Sequence, residues 1–233
     1  MKFFFKFVLI TFVFLAYLGL FPYLSSFFGF NKPRDLGIRY TESDMYSYNQ
    51  KANFSIESAK DVSSSLGIEF AGCTEIKEIF TEEEVSARIN YSPWKYMPVK
   101  NVQVNFPANG MIEFSANLLT YRLPSFLSAI GFSDMSRNDI ERGLGYLKYT
   151  GEPPIYVKAR ASVSKNKVDV NLVSVQLGRL SIPFYLYDAN KVVENFVEKV
   201  FSLVPGFYAE SVRFSPSGMS FEGRAPTKGI VAE

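Results

Sequence analysis

The residues able to do chemistry in this chain are few. Among its 233 residues there is no histidine and a single cysteine. That composition removes the Ser-His-Asp and Cys-His nucleophile systems, His-ligated zinc and iron sites, and the commonest general base near neutral pH. Glu82, Glu83 and Glu84 have the composition of a cation site or of paired carboxylates for acid–base work. Their place directly after Thr81 favours another role, because acidic residues in the first turn of a helix complement its dipole and close a capping box. Cys73 sits in the strand-like stretch Ile68 to Ile76 and reads as a small buried hydrophobe; alone, it forms no intramolecular disulfide. Asn53-Phe54-Ser55 and Asn90-Tyr91-Ser92 match the N-glycosylation acceptor pattern, which matters only in a host that glycosylates. No Gly-rich phosphate loop, Cys-pair metal spacing or nucleophile elbow is present, so the sequence assigns no catalytic residue, metal or cofactor. The formal charge is +2 with Lys and Arg scattered along the chain, which leaves no electrostatic footprint for nucleic acid.

What remains is the chemistry of excluding water, and 47% of the chain is hydrophobic. Val192, Val193, Phe196, Val200 and Phe201 form a broad apolar helix face. Together with the strand residues Val157, Val170 and Leu172, they suit either a lipid groove, which needs only shape and dispersion contacts, or an ordinary core. Trp94 and Tyr96, beside Pro93 and Lys95, have the amphipathic composition that settles at a bilayer interface, and a loop packed on its own domain uses the same residues. Phe126, Leu127, Ile130 and Phe132 read as a lip over a groove, a membrane-touching segment or core.

The elements that must position these residues begin with an apolar run. Phe7 to Leu24 follows Lys2 and Lys6 and passes Tyr17, Phe21, Pro22 and Tyr23 without a small-x-small cleavage site, so residues 1–30 are expected to be a retained signal anchor or transmembrane segment, with a cleaved signal peptide as the alternative. Residues 31–40 read as a juxtamembrane linker, 41–226 as one extracytoplasmic domain and 227–233 as a tail. Thr41-Glu42-Ser43-Asp44 predicts a helix over Glu42 to Lys51. Ile68 to Ile79 reads as one strand, or two broken at Gly72. Phe80-Thr81-Glu82-Glu83-Glu84-Val85 predicts a helix start with a capping box and a Phe80–Val85 staple. Alternation then predicts a hairpin from Val102 to Leu118 about a turn at Pro107 to Gly110. The middle, Leu119 to Gly151, is irregular, with a second short helix expected over Arg137 to Leu147. A long hairpin, Ile155 to Leu172 about Lys165 to Lys167, continues through Val175, Leu177, Leu180 and Ile182 to Pro183. The strongest helix spans Asn190 to Leu203, and a last hairpin runs from Val212 to Phe221. Helix followed by hairpin thus occurs twice, the two turn glycines Gly110 and Gly218 lying 108 residues apart, a pattern consistent with internal duplication or with coincidence of common elements.

This order resembles the small, membrane-anchored YpmS-like proteins of bacteria, grouped with the tubular lipid-binding (TULIP-like) superfamily. The similarity is carried by the Thr81 to Ile89 helix start, the Val99 to Phe114 hairpin, Pro154-Ile155-Tyr156-Val157 and the stretch Gly178 to Pro183. The resemblance implies an α+β fold, a curved antiparallel sheet wrapped on one or two long amphipathic helices, with an apolar groove able to hold acyl chains. The chain departs from expectation in lacking a lipoprotein Cys after its apolar segment. The function expected is that of a non-enzymatic, single-pass membrane protein of the cell envelope that binds lipid or another amphiphile. The alternative is a structural or assembly subunit that docks an envelope partner protein.

Overall fold

Lys2–Tyr17 form the first helix, α1, and the rest of the fold is α+β with mostly antiparallel strands. The structure is a computed structural model in which residues 2–17, 31–60, 62, 64–131, 152–182 and 188–232 are described. Among the described residues no helix is long and apolar enough to cross a membrane. The 16 residues of α1 rise about 24 Å, short of a hydrocarbon core of about 30 Å. The remainder of the expected span, Leu18 to Leu24, lies outside the described residues. Leu9, Ile10, Val13 and Phe14 on α1 are exposed.

The segment expected to be a juxtamembrane linker, residues 31–40, is strapped across the sheet. Asn117 donates its side-chain amide to the Asn31 carbonyl (2.7 Å), the Leu36 amide donates to Gln103 (2.7 Å), and Ile38 is buried. The Arg34 guanidinium lies 3.9 Å from the centre of the Tyr156 ring and donates to Gln176. These partners come from four different strands, so the polar back of the sheet fixes the path of the chain.

The domain begins at α2 (Glu42–Lys51), where the Thr41 amide and hydroxyl both donate to the Asp44 carboxylate. Strands β1 (Ser55–Ala59), β2 (Ile68–Ala71) and β3 (Thr74–Phe80) follow, the last two broken at Gly72 as expected. Helix α3 (Glu82–Asn90) opens on the predicted capping box: Glu84 N donates to Thr81 Oγ1 and Thr81 N to the Glu84 carboxylate. The expected staple residues Phe80 and Val85 share one core cluster. The first hairpin is β4 (Val99–Asn105) and β5 (Met111–Leu118), followed by a 3₁₀ turn at Thr120–Arg122 and a short helix, α4 (Leu123–Ala129). The second helix expected there, Arg137 to Leu147, lies outside the described residues. The long hairpin is β6 (Pro154–Ser164) and β7 (Lys167–Leu177). Its two-residue turn carries positive φ at Lys165 and Asn166, the twist that suits a tight hairpin. Helix α5 (Ala189–Ser202) and the hairpin β9 (Tyr208–Ser215) and β10 (Gly218–Ala225) complete the expected order.

Strand β6 organises the main sheet. One edge pairs with β7 along its length; the other pairs with β5 over Pro154 to Arg160 and then with β9 at Val163 and Ser164. The two hairpins therefore meet tip to tip on one edge of β6. Gly110 N donates to the Phe214 carbonyl, Ala161 N donates to the Gly110 carbonyl (both 2.8 Å), and the Phe106 and Phe214 rings stack at 5.2 Å. Strand β3 pairs with β10 beyond. Alternate residues supply one apolar face: Val102 and Val104 on β4 with Phe106 just after it, Ala159 and Val163 on β6, Val170 and Leu172 on β7, Val212 on β9 and Phe221 on β10 are all buried. Both Val85 of α3 and Phe201 of α5 pack on the cluster that holds Phe80, Val212 and Phe221. Helices α3 and α5 thus cover the same side of the sheet.

Three expectations are corrected. Residues 227–233 are not a tail, since Lys228–Ala232 form β11, the central strand of a second sheet, parallel to β1 and antiparallel to β2. The β7 strand does not run on to Ile182; it reverses at Gly178 and Arg179, and Leu180–Ser181 (β8) pair back on Gln176 and Leu177. Cys73 is exposed rather than buried, with its thiol 3.4 Å from the Gly206 carbonyl.

Candidate functional site, an apolar cavity

The position of α5 is set by a ladder of polar side chains. Asn190, Glu194 and Glu198 follow one another at intervals of four and accept hydrogen bonds from the amides of Leu172 (3.0 Å), Val170 (3.2 Å) and Val168 (3.1 Å) on β7. Four helical residues rise about 6 Å and two strand residues about 6.6 Å, so the two periods match over three rungs. Lys167 adds an ion pair to Glu198 at 2.9 Å. The same device holds α3 on β4: Phe106 N donates to Glu82, Val104 N to Ser86 Oγ (2.9 Å) and Val102 N to Asn90 Oδ1 (2.9 Å). Each ladder satisfies the outward amides of its edge strand, and each turns the helix so that its apolar flank faces the sheet.

Between α5 and the sheet lies a cavity of about 950 Å³, at the upper end of the roughly 300–1,000 Å³ typical of small-molecule sites. Of the expected groove residues, Val157, Val170, Leu172, Val192, Val193, Phe196 and Phe201 line it, whereas Val200 does not. The sequence reading missed the contribution of both short hairpins, Ile112 and Phe114 on one and Phe214, Met219 and Phe221 on the other. Their alternation was visible; that the hairpins converge on one edge of β6 was not. Among the described residues, the only polar groups on the wall are Ser162 and the phenol of Tyr48. The cavity opens to solvent at Ile182 and Val192, which are 38% and 54% exposed. Near this end the Arg179 guanidinium lies 4.6 Å from the centre of the Tyr17 ring at the end of α1.

The remaining candidates fall into place around the cavity. Trp94 is engaged within the domain: its indole donates to the Leu66 carbonyl (2.7 Å), and its ring meets Tyr96 at 6.1 Å and Phe126 at 5.7 Å. Phe126 in turn reaches Phe196 of α5 at 6.1 Å. Ile130 is buried, which places that part of the apolar cluster in the core. Trp94 and Tyr96 therefore buttress the outside of the cavity helix through Phe126.

The three adjacent glutamates do not form a catalytic pair. Glu82 belongs to the ladder, and Glu84 is buried where it accepts from Thr81 N, Ser47 Oγ and Lys51 Nζ (2.8 Å). Burial alone would push the Glu84 carboxyl up; the Lys51, Ser47 and Thr81 donors outweigh it and hold the group below the usual carboxylate range. Among the described residues no group of His, Cys, Asp or Glu could hold a metal ion. A side pocket of about 170 Å³ adjoins the main cavity and shares Tyr48, Phe207, Met219 and Phe221 with it. Its cation is Arg88 of α3, which burial pushes below the usual guanidinium range and the Tyr48 phenol partly restores. Burial raises the Tyr48 phenol in turn.

No protein-family model matches the chain, and neither a curated protein nor a solved structure matches it.

Proposed function

We propose that this protein binds a lipid or another amphiphile, holding its apolar chain between α5 and the sheet and screening it from water. The observation that carries this reading is the cavity itself: about 950 Å³ of space walled by aliphatic and aromatic side chains, in a protein interior that would otherwise close-pack. Each methylene moved from water into such a wall contributes about 0.8 kcal/mol, so partial enclosure of an acyl chain is enough for transient extraction. No catalytic step is needed, and the protein acts as a non-enzymatic carrier or sensor. The exposed apolar side chains of α1 and the composition of Phe7 to Leu24 support attachment to a bilayer, with the domain on its extracytoplasmic side. The contact of Arg179 with Tyr17 supports a cavity mouth held near that surface.

The TULIP-like reading gains support from two features, an antiparallel sheet with α3 and α5 on one face and the tip-to-tip placement of the two helix–hairpin units. In that comparison Phe106 corresponds to Phe214 and Val104 to Val212. The Gly-Met pairs are out of step, because Ile112 rather than Met111 joins Met219 on the cavity wall. Edge-to-edge docking of an envelope partner at β4 or β7 is the weaker reading, since their outward amides are already taken by helix side chains, and that alternative is left with the edges at β1, β2 and β3. The test is native mass spectrometry of the full chain with quantitative lipid extraction. A co-purified amphiphile in one-to-one ratio, lost from a variant with Ala161→Phe in the cavity, supports the proposal; an empty protein that stays empty after incubation with vesicles overturns it.

A further inference from the structure

Arg88 is the one element of this wall system that packing does not explain. Its guanidinium carries five donors, and among the described residues it makes no hydrogen bond and no ion pair; its only contact of note is the Phe54 ring at 5.2 Å. Glu84, one turn earlier on α3, is turned away to Lys51 and Ser47. The rest of the side pocket is Tyr48, Phe54, Phe70, Phe80 and Phe207 with other apolar residues. The Tyr48 hydroxyl likewise has no hydrogen-bond partner among the described residues, lies close enough to Arg88 for each to perturb the other, and faces both the side pocket and the main cavity. A fixed cation among aromatic rings is costly unless an anion meets it, and a planar fork of donors fits a carboxylate or phosphate oxygen pair.

We infer that the ligand is an anionic amphiphile whose carboxylate or phosphate head is received by Arg88 and Tyr48 in the side pocket while its apolar chain occupies the main cavity. This rests on the amphiphile-binding reading and specifies the class of ligand. The two spaces share four lining residues, Tyr48, Phe207, Met219 and Phe221, so a chain held in the main cavity beside them brings its head next to the side pocket. A head of neutral or cationic chemistry would leave the guanidinium unmet. Arg88 therefore acts as a selectivity residue as well as part of the wall.

The experiment uses the full chain reconstituted in phosphatidylcholine vesicles at mildly alkaline pH, with a photoactivatable palmitic acid as probe and adducts mapped by peptide mass spectrometry. Palmitate, its methyl ester and inorganic phosphate serve as competitors. Labelling on β6, β7 or α5 that palmitate suppresses about ten-fold more effectively than the ester is the expected result, as charge-assisted hydrogen bonds imply. Arg88→Met should keep the labelling and erase the preference, and Arg88→Lys should keep part of it. Circular dichroism melts of both variants verify that they are folded, and Arg88→Met should melt close to wild type because it removes a half-buried cation that has no paired anion among the described residues. Equal suppression by acid and ester, or a preference that survives in folded Arg88→Met, overturns the anionic-head inference and leaves the cavity reading standing. Suppression by inorganic phosphate alone as strong as by palmitate also overturns it, since the site would then be one for a free anion. Absence of any label within the cavity refutes the amphiphile reading itself.

Discussion

Replacing Ser86 by alanine removes the middle rung of the ladder that holds α3 on β4. Ser86 is fully buried and its hydroxyl accepts from the Val104 amide at 2.9 Å, itself on a residue that is 2% exposed. Alanine fits the space, so the main effect is a buried N–H with nothing to bond. That costs about 1–3 kcal/mol, and the better helix propensity of alanine offsets about 0.5 kcal/mol of it. The net loss is about 0.5–2.5 kcal/mol, or a fall in Tm of about 1–10 °C for a folded region of this size. Thermal melts read the first quantity. Native-state hydrogen exchange reads the second, since the Val104 amide should lose protection while the amides of β6 keep theirs. Ser43→Ala on the exposed side of α2 is the control and should change little. Unchanged Tm together with unchanged exchange at Val104 would refute the claim that the ladder fixes the helix.

Other consequences follow from the same geometry. Glu84 has its carboxyl held below the usual range, so its charged form stabilises the fold; that contribution is full above the unfolded-state value and is lost as pH falls through the lowered one. Acid unfolding of wild type should therefore be steeper than that of Glu84→Gln, and their stability difference should shrink below about pH 4.5; parallel acid limbs would contradict this. Gly223 sits beside a shift in the β9–β10 register, where an added Cβ would lie 2.1 Å from the Tyr208 carbonyl, so Gly223→Ala should destabilise by about 1–3 kcal/mol in denaturant titrations, and a neutral result would mean that β9 gives way at this point. Filling the cavity with Ala161→Phe should raise Tm and abolish lipid co-purification; a large fall in Tm would show the space to be smaller than 950 Å³ implies.

Much of this fold was legible because local chemistry announced it. Thr81 and Glu84 cap α3 as their spacing requires, and the alternating runs around Pro107–Gly110 and Lys165–Lys167 became hairpins. The apolar stripe of α5 pointed to the cavity wall with one exception, Val200. What was hidden depended on distance along the chain. Lys228–Ala232 looked like a tail because its partners, Ser55–Ala59 and Ile68–Ala71, lie more than 150 residues earlier. The ladders Glu82-Ser86-Asn90 and Asn190-Glu194-Glu198 are polar stripes at intervals of four, which in a sequence look like any solvated helix flank. Arg88 was hidden for the same reason, since only the folded arrangement of Phe54, Phe70 and Phe207 around it reveals a cation without a counter-charge. Residues 31–40 read as a linker because strap contacts such as Leu36 to Gln103 leave no periodic trace.

The most direct test of the account is site-specific photocrosslinking in the native membrane. A benzophenone side chain placed at Val170 or Val193, both on the cavity wall, should give adducts whose extra mass is that of an amphiphile, whereas the same group at the neighbouring exposed Asp169 should not. Equal lipid adducts at all three positions, or only protein adducts at Val170 and Val193, would contradict an amphiphile held between α5 and the sheet.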